Sequence, residues 1–147
     1  MMLIDTSVLI SMFRDQTGRV AERLSALVGD GDLYLTRFTQ MELLQGCRDE
    51  AEWLRLDSYL EGQTYIEATD LTWAEAARIY FDLRRKGLRV RSVIDCYIAQ
   101  LALENQMTLI HNDRDFEVIA KLRRYRQTTL DTVRSTDFHE NDQDAIL

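Results

Sequence analysis

Proline is absent from the 147 residues, where ordinary usage of about 5% would place roughly seven. That absence removes proline-rich linkers and PxxP recognition segments. Cysteine is almost as scarce. Cys47 and Cys96 form no CxxC pair and have only His111 and His139 as companions, which excludes a Cys/His zinc site of the usual spacing and predicts reduced, structural thiols. No apolar run approaches the ~18 residues that a membrane span requires. The opening Met-Met-Leu-Ile-Asp reaches an acid at its fifth residue with no basic stretch before it, so neither a membrane protein nor a secretory leader is expected, and a cytoplasmic location is. Positive charge is also in deficit: the net charge is −7, which argues against whole-surface attraction to nucleic acid while leaving room for local basic runs.

What is present is the composition of one globular domain, 46% hydrophobic and 29% charged, long enough to bury a core without metal or disulfide. The domain is expected over residues 1–138, with the polar, acidic segment 139–147 as a mobile tail. Leu3-Ile4 reads as a strand that stops at Asp5-Thr6-Ser7, residues that favour turns and helix N-caps, before a helix through Val8 and Phe13. A second helix runs from Val20 to Val28, and Leu33-Tyr-Leu-Thr36 makes the next strand. Helices follow from Phe38 to Cys47 and through Trp53 to Leu60, with Tyr65-Ile66 as a brief strand. The spacing predicts a helix over 71–86, with Thr72 as N-cap and Gly87 as stop, and another over 92–105. Met107-Thr-Leu-Ile110 is extended, and Phe116 to Arg124 helical. Alternation of strand and helix selects an α/β fold: a three-layer sandwich with a largely parallel central sheet.

In such sheets ligands bind beyond the carboxyl ends of the strands. Asp5 directly follows one strand, and Asp113 follows another after two residues. Glu42 and Asp95 interrupt apolar helical patterns, and Asp95 shares its helix face with Ala99 and Ala102, which leaves space beside the carboxylate. Each acid alone is accounted for by a turn, a cap or a solvated helix position. Around Asp5 and Glu42, however, no cation lies three or four residues away, and a buried carboxylate without a partner costs several kcal/mol. If these acids face one another, a divalent cation resolves the repulsion, and all-oxygen ligation suits Mg²⁺ or Mn²⁺.

The segment Met2-Leu-Ile-Asp5-Thr-Ser-Val-Leu-Ile10 resembles the opening of PIN-domain proteins. Glu42-Leu-Leu-Gln-Gly46 is similar to their second acidic motif, Asp95-Cys-Tyr-Ile-Ala99 to their third and His111-Asn-Asp113-Arg-Asp115 to their fourth. Order, spacing and length resemble VapC-type toxins of toxin–antitoxin pairs. The resemblance implies that Asp5, Glu42, Asp95 and Asp113 are the catalytic acids, with Asp5, Asp95 and Asp113 on the metal and Thr6, Ser7 and Asp115 as accessory residues. It implies a Mg²⁺- or Mn²⁺-dependent endoribonuclease, a VapB-like antitoxin as partner, and a homodimer. One departure is visible: His111 stands where many relatives carry Thr or Ser.

Chemically, such a site activates water for in-line attack on a phosphodiester, giving 5′-phosphate and 3′-hydroxyl ends. RNA must approach an acidic centre, so two basic runs are candidates for binding it: Arg84-Arg-Lys-Gly-Leu-Arg89-Val-Arg91, and Lys121-Leu-Arg-Arg-Tyr-Arg126. The residues singled out are Arg89, Arg91, Arg123 and Arg124, although basic side chains at helix C-termini also simply complement the dipole. Apolar residues between Phe38 and Leu60 could form an antitoxin groove, while Trp53 and Leu56 also suit the core. A covalent aspartyl-phosphate enzyme is disfavoured by Ser7, which stands where that pattern needs a second Asp. Neither a dinucleotide loop nor a P-loop is present. The remaining alternative is a catalytically inactive PIN-like module that binds RNA or protein.

Overall fold

The computed structural model describes residues 1–130. The domain end expected at 138 and the acidic segment 139–147 fall outside those residues. The central sheet is four-stranded and wholly parallel, in the order β2-β1-β3-β4, built from β1 (Met2–Ile4), β2 (Leu33–Tyr34), β3 (Thr108–His111) and β4 (Gln127–Thr129). Between β1 and β2 the chain forms α1 (Thr6–Arg14) and α2 (Arg19–Val28). Four helices precede β3: α3 (Arg37–Gln45), α4 (Glu50–Glu61), α5 (Asp70–Arg85) and α6 (Val93–Glu104). The last helix, α7 (Arg114–Ala120), joins β3 to β4.

Alternation along the two central strands sorts the helices into layers. Leu3 and Leu109 point to one face, where α5, α6 and α7 cover them with Ile79, Leu83, Ile98, Leu101, Phe116 and Ile119. Ile4 and Ile110 point to the other, against Val8, Leu9, Leu24, Leu43, Leu56 and Leu60 from α1 to α4. The molecule is therefore the expected three-layer sandwich. Register pairs Ile4 with Ile110 across β1 and β3, so the segments after both strands emerge side by side. Because β2 lies on one side of β1 and β3 on the other, this is where the strand order reverses, the place where a parallel sheet opens a crevice at its carboxyl end.

Three local expectations are corrected. Tyr65-Ile66 is not a strand: only Tyr65 pairs, in a single parallel bridge with Leu35, before the chain turns away into α5. The N-cap of α5 is Thr69 and not Thr72; Thr72 sits a turn inside, accepting the Thr69 N–H at 2.9 Å and donating to Glu104 at 2.8 Å. The last helix stops at Ala120 and not at Arg124, because Tyr125 folds back to donate to the Phe116 carbonyl at 2.6 Å and Arg126 accepts the Leu109 N–H at 2.9 Å. That contact starts β4, an edge strand whose polar Gln-Thr-Thr carries no apolar alternation. Gly87, the expected stop after α5, has φ 70°, a left-handed turn that glycine adopts without penalty. Cys47 and Cys96 are both free, and burial pushes the Cys96 thiol up to about 12, as suits a structural thiol.

Phe116 is fully buried and fixes α7 against the sheet. Phe116→Ala is expected to cost about 3–5 kcal/mol, measured as the shift in urea-unfolding free energy; a loss below about 1 kcal/mol would show that α7 is not held by this ring.

Candidate active site

The four predicted acids come from separate stretches, and each is aimed by its own local structure. Asp5 ends β1 and caps α1: its Oδ2 accepts the Ser7 N–H at 3.0 Å and the Ser7 hydroxyl at 2.5 Å. Ser7 Oγ accepts the Asn112 N–H at 3.1 Å, and the Asp5 N–H donates to the Ile110 carbonyl at 3.0 Å. The ends of β1 and β3 are thus tied together around the carboxylate. Asp5 is 6% exposed, and burial pushes its carboxyl above the usual range against the hydrogen bonds from Ser7, with repulsion from Asp113 adding to the rise.

Asp113 caps α7 through its Oδ1, which accepts the Asp115 N–H at 3.0 Å. His111, fully buried, accepts the Asp113 N–H on Nδ1 at 3.2 Å. That leaves the ring proton on Nε2, which donates to Gln127 Oε1 at 2.7 Å. The residue that departs from the family pattern therefore holds the backbone of the acidic loop, and β4 holds the residue.

Asp95 occupies the first turn of α6, with Ala99 and Ala102 buried beyond it. Burial, then repulsion from Asp113 and Asp5, pushes its carboxyl up to about 7. Its retained proton is shared with Asp115. Burial works against charge on Asp115 too, yet the N–H and guanidinium of Arg91, together with the hydrogen bond from Asp95, hold that carboxyl below the ordinary range. Ligand oxygens of Asp95, Asp113 and Asp115 all lie within 4.8 Å of one another. Asp115, expected as an accessory, is one of this trio, and Asp5 flanks it.

Glu42 stands half-buried on α3. Burial, then Asp5, raises its carboxyl, while a hydrogen bond with Thr6 lowers it. Thr6 Oγ1 also lies within hydrogen-bond distance of Thr39 Oγ1, at 3.0 Å, so this buried threonine pair fixes α3 against the start of α1. Thr6 and Ser7 each support one acid, and the N-cap of α1 is Asp5 itself.

Arg91 was expected to meet RNA, but its guanidinium bonds Asp113 and lies 3.2 Å from Asp115, and its N–H donates to Asp115 at 2.9 Å. No sequence signal marks this role, because the partners are 22 and 24 residues away. Arg123 is also committed, to Asp82 at 2.9 Å. Arg89 and Arg124 are exposed and have no acidic partner among the described residues. Elsewhere, the buried acid Glu52 is satisfied outright by hydrogen bonds from Arg48 that hold it low. The site differs in having more carboxylates than its one arginine can neutralise. Three converging carboxylates, one still carrying its proton, are a donor set that fits an oxygen-ligated dication such as Mg²⁺ or Mn²⁺.

Known proteins match the chain in sequence and in fold. The PIN domain family model matches residues 2–122. Ribonuclease VapC11 of Mycobacterium tuberculosis is 33% identical over 125 residues, covering 83% of this chain and 93% of the relative. Ribonuclease VapC51 of the same organism is 32% identical over 118 residues, 80% of this chain and 84% of the relative. Among solved structures, VapBC2 from Rickettsia felis bound to a promoter DNA fragment superposes with a TM-score of 0.72 at 19% identity, covering 88% of this chain and 98% of that one. FitAcB from Neisseria gonorrhoeae does so with 0.69 at 23% identity, over 88% and 98%. At these identities the structural likeness establishes the fold.

Two outcomes follow from the charge balance. Asp95 titrates near 7 when folded and near ~3.9 when unfolded, so between those values the folded chain binds the extra proton and stability falls as pH rises. Melting temperature of the EDTA-treated protein should drop from pH 5 to pH 8, and Asp95→Asn should flatten that drop; equal slopes would refute the assignment. Arg91→Gln removes a cation from the trio and should tighten Mn²⁺ binding, by about tenfold for each 1.4 kcal/mol of repulsion removed. Titration calorimetry reads this directly, and unchanged or weaker binding counts against it.

Proposed function

This chain belongs to the PIN domain family, in its VapC ribonuclease branch, and from that premise we propose that it is a metal-dependent endoribonuclease acting as the toxin of a toxin–antitoxin pair. The observation that carries the proposal is the convergence of Asp95, Asp113 and Asp115 within 4.8 Å, with Asp5 and Glu42 electrostatically coupled beside them. A protein needing only to bind RNA gains nothing from a concentration of negative charge that repels it.

Asp95, Asp113 and Asp115 would hold Mg²⁺ or Mn²⁺, with Asp5 adjoining. When bound, the ion supplies Lewis-acid polarisation of the phosphodiester and lowers the pKa of a water molecule that attacks phosphorus in line. The protein's residues do the rest. Asp95, which holds its proton in the unmetallated site, would be the carboxyl to give it up in holding a dication, since positive charge favours the carboxylate. Glu42, with its raised affinity for a proton, is suited to accept one from the attacking water, and Thr6 orients it. Ser7 and His111 hold Asp5 and Asp113 in place by hydrogen bonds, so neither carboxylate has to reorganise when substrate arrives. In-line attack by water leaves a 5′-phosphate and a 3′-hydroxyl, and no protein nucleophile is used.

The partner we assign is a VapB-like antitoxin; the solved relatives named VapBC are complexes of that kind. Met41 on α3 and Trp53 and Leu54 on α4 are exposed apolar residues that offer an apolar helix a docking surface, whereas Leu56 is core. A homodimer is assigned by the same family reasoning. Among the described residues no helix is long and apolar enough to cross a membrane.

Incubation of purified protein with structured RNA tests the activity. Cleavage is expected with Mg²⁺ or Mn²⁺, is abolished by EDTA, and falls on the order of 100-fold or more in Asp5→Asn and Asp95→Asn. Ends mapped by ligation should be 5′-phosphate and 3′-hydroxyl. Metal-independent cutting, or 2′,3′-cyclic phosphate ends, would reject the mechanism, because those ends arise from the RNA's own 2′-hydroxyl.

A further inference from the structure

A pocket of about 350 Å³ lies between the last turns of α5 and the loop that leads to α6, lined by Tyr80, Leu83, Arg84, Leu88, Arg89 and Val90. Its chemistry has two parts. Leu83 and Val90 are buried and give it an apolar floor, and the Tyr80 ring forms a wall with the Arg84 guanidinium 5.8 Å from the ring centroid. Arg84 and Arg89 are exposed at its rim, and neither has an ion-pair partner among the described residues. In a chain with net charge −7 acids are plentiful: nearby Arg78, Arg91 and Arg123 all have one. Two guanidinium groups left without acids around an aromatic-walled pocket suit a ligand with a flat face and a negative charge.

The pocket's position supplies the context. Its last lining residue, Val90, precedes Arg91, whose N–H donates to Asp115 at 2.9 Å. From Arg89 to Arg91 is two residues, at most ~7 Å of extended chain, so the pocket adjoins the acid trio. We propose that this pocket is a subsite for a nucleotide of single-stranded RNA flanking the cleaved bond, its base stacked on Tyr80 over Leu83 and Val90 and its phosphate bound by Arg84 and Arg89. The inference rests on the ribonuclease reading and adds to it where the protein discriminates among RNAs. The acid trio is indifferent to base identity, whereas a pocket of limited volume beside it is not.

The test uses full-length protein with single-stranded oligoribonucleotides of randomised sequence. Binding is measured in the Asp5→Asn background by fluorescence anisotropy over a salt series, and cleavage preference by sequencing the ends made by otherwise wild-type protein. Arg84→Ala and Arg89→Ala should each lower the slope of log affinity against log salt by about 0.7. Tyr80→Ala should weaken binding roughly 5- to 100-fold and flatten base preference at one position beside the cut, while Tyr80→Phe keeps both. Mn²⁺ affinity, read by calorimetry, should be unchanged in all four variants, which separates the subsite from the acid trio and reports that each is folded. If wild-type protein cuts RNA while the alanine variants keep its affinity, salt slope and end-sequence preference, the subsite is wrong and the ribonuclease reading stands. If wild-type protein leaves every RNA intact, both fall.

Discussion

Repulsion among carboxylates at the meeting point of β1 and β3 is the constraint that organises this molecule. Two unit charges ~4 Å apart at an effective dielectric of about 20 repel by about 4 kcal/mol, and here five acids from four stretches of chain interact. The fold offsets this in three ways. Asp5 and Asp113 sit at helix N-caps and Asp95 and Asp115 in first turns, where the positive ends of α1, α6 and α7 favour negative charge. Arg91 lies against two of the acids. Asp95 keeps a proton up to about pH 7. All three leave the charge only partly balanced, which is the condition under which a site has affinity left for an added cation.

The same constraint explains why the surroundings are so closely hydrogen-bonded. A carboxylate free to swing would move away from its neighbours, so holding the set together requires each acid to be tied to backbone. Ser7 ties Asp5 to Asn112, and His111 ties Asp113 to Gln127 on β4. Thr6 and Thr39 hold the face of α3 that presents Glu42. An imidazole in place of a hydroxyl is accommodated because what the loop needs at that position is an acceptor for the Asp113 N–H, and Nδ1 provides one. The edge strand, paired with β3, thereby bears on the site through Gln127.

Much of this was legible in the sequence because buried acids contradict their surroundings. Asp5 after Leu3-Ile4, and Glu42 and Asp95 within apolar helical patterns, stood out against the periodicity that also gave the sandwich and its layers. What stayed hidden depends on distance in space. Arg91 reads as one more cation in a basic run; only folding brings it onto Asp113 and Asp115. Asp115 looked secondary because spacing alone does not say that α7 turns its first residues toward α6. β4 was missed because Gln-Thr-Thr has no apolar alternation, its pairing being decided by β3. Thr72 reads as the cap of α5, but Glu104, on another helix, claims its hydroxyl and the helix starts after Thr69.

The acidity of the chain opposes the polyanionic substrate proposed for it, and the resolution lies in range. At physiological ionic strength charges are screened beyond about 8 Å, so an RNA strand at the crevice responds to the groups beside it and not to the total of −7. Those groups divide by how they are paired. Arg78 and Arg123 share Asp82, and Arg91 is committed to the trio, so none of these presents a free charge. Arg84 and Arg89, on the segment that runs directly into Arg91, have no ion-pair partner among the described residues. In the proposed reading, cationic reach next to an under-neutralised acidic centre would let one surface hold a phosphate backbone while its neighbour takes a metal ion, with only a short chain between them.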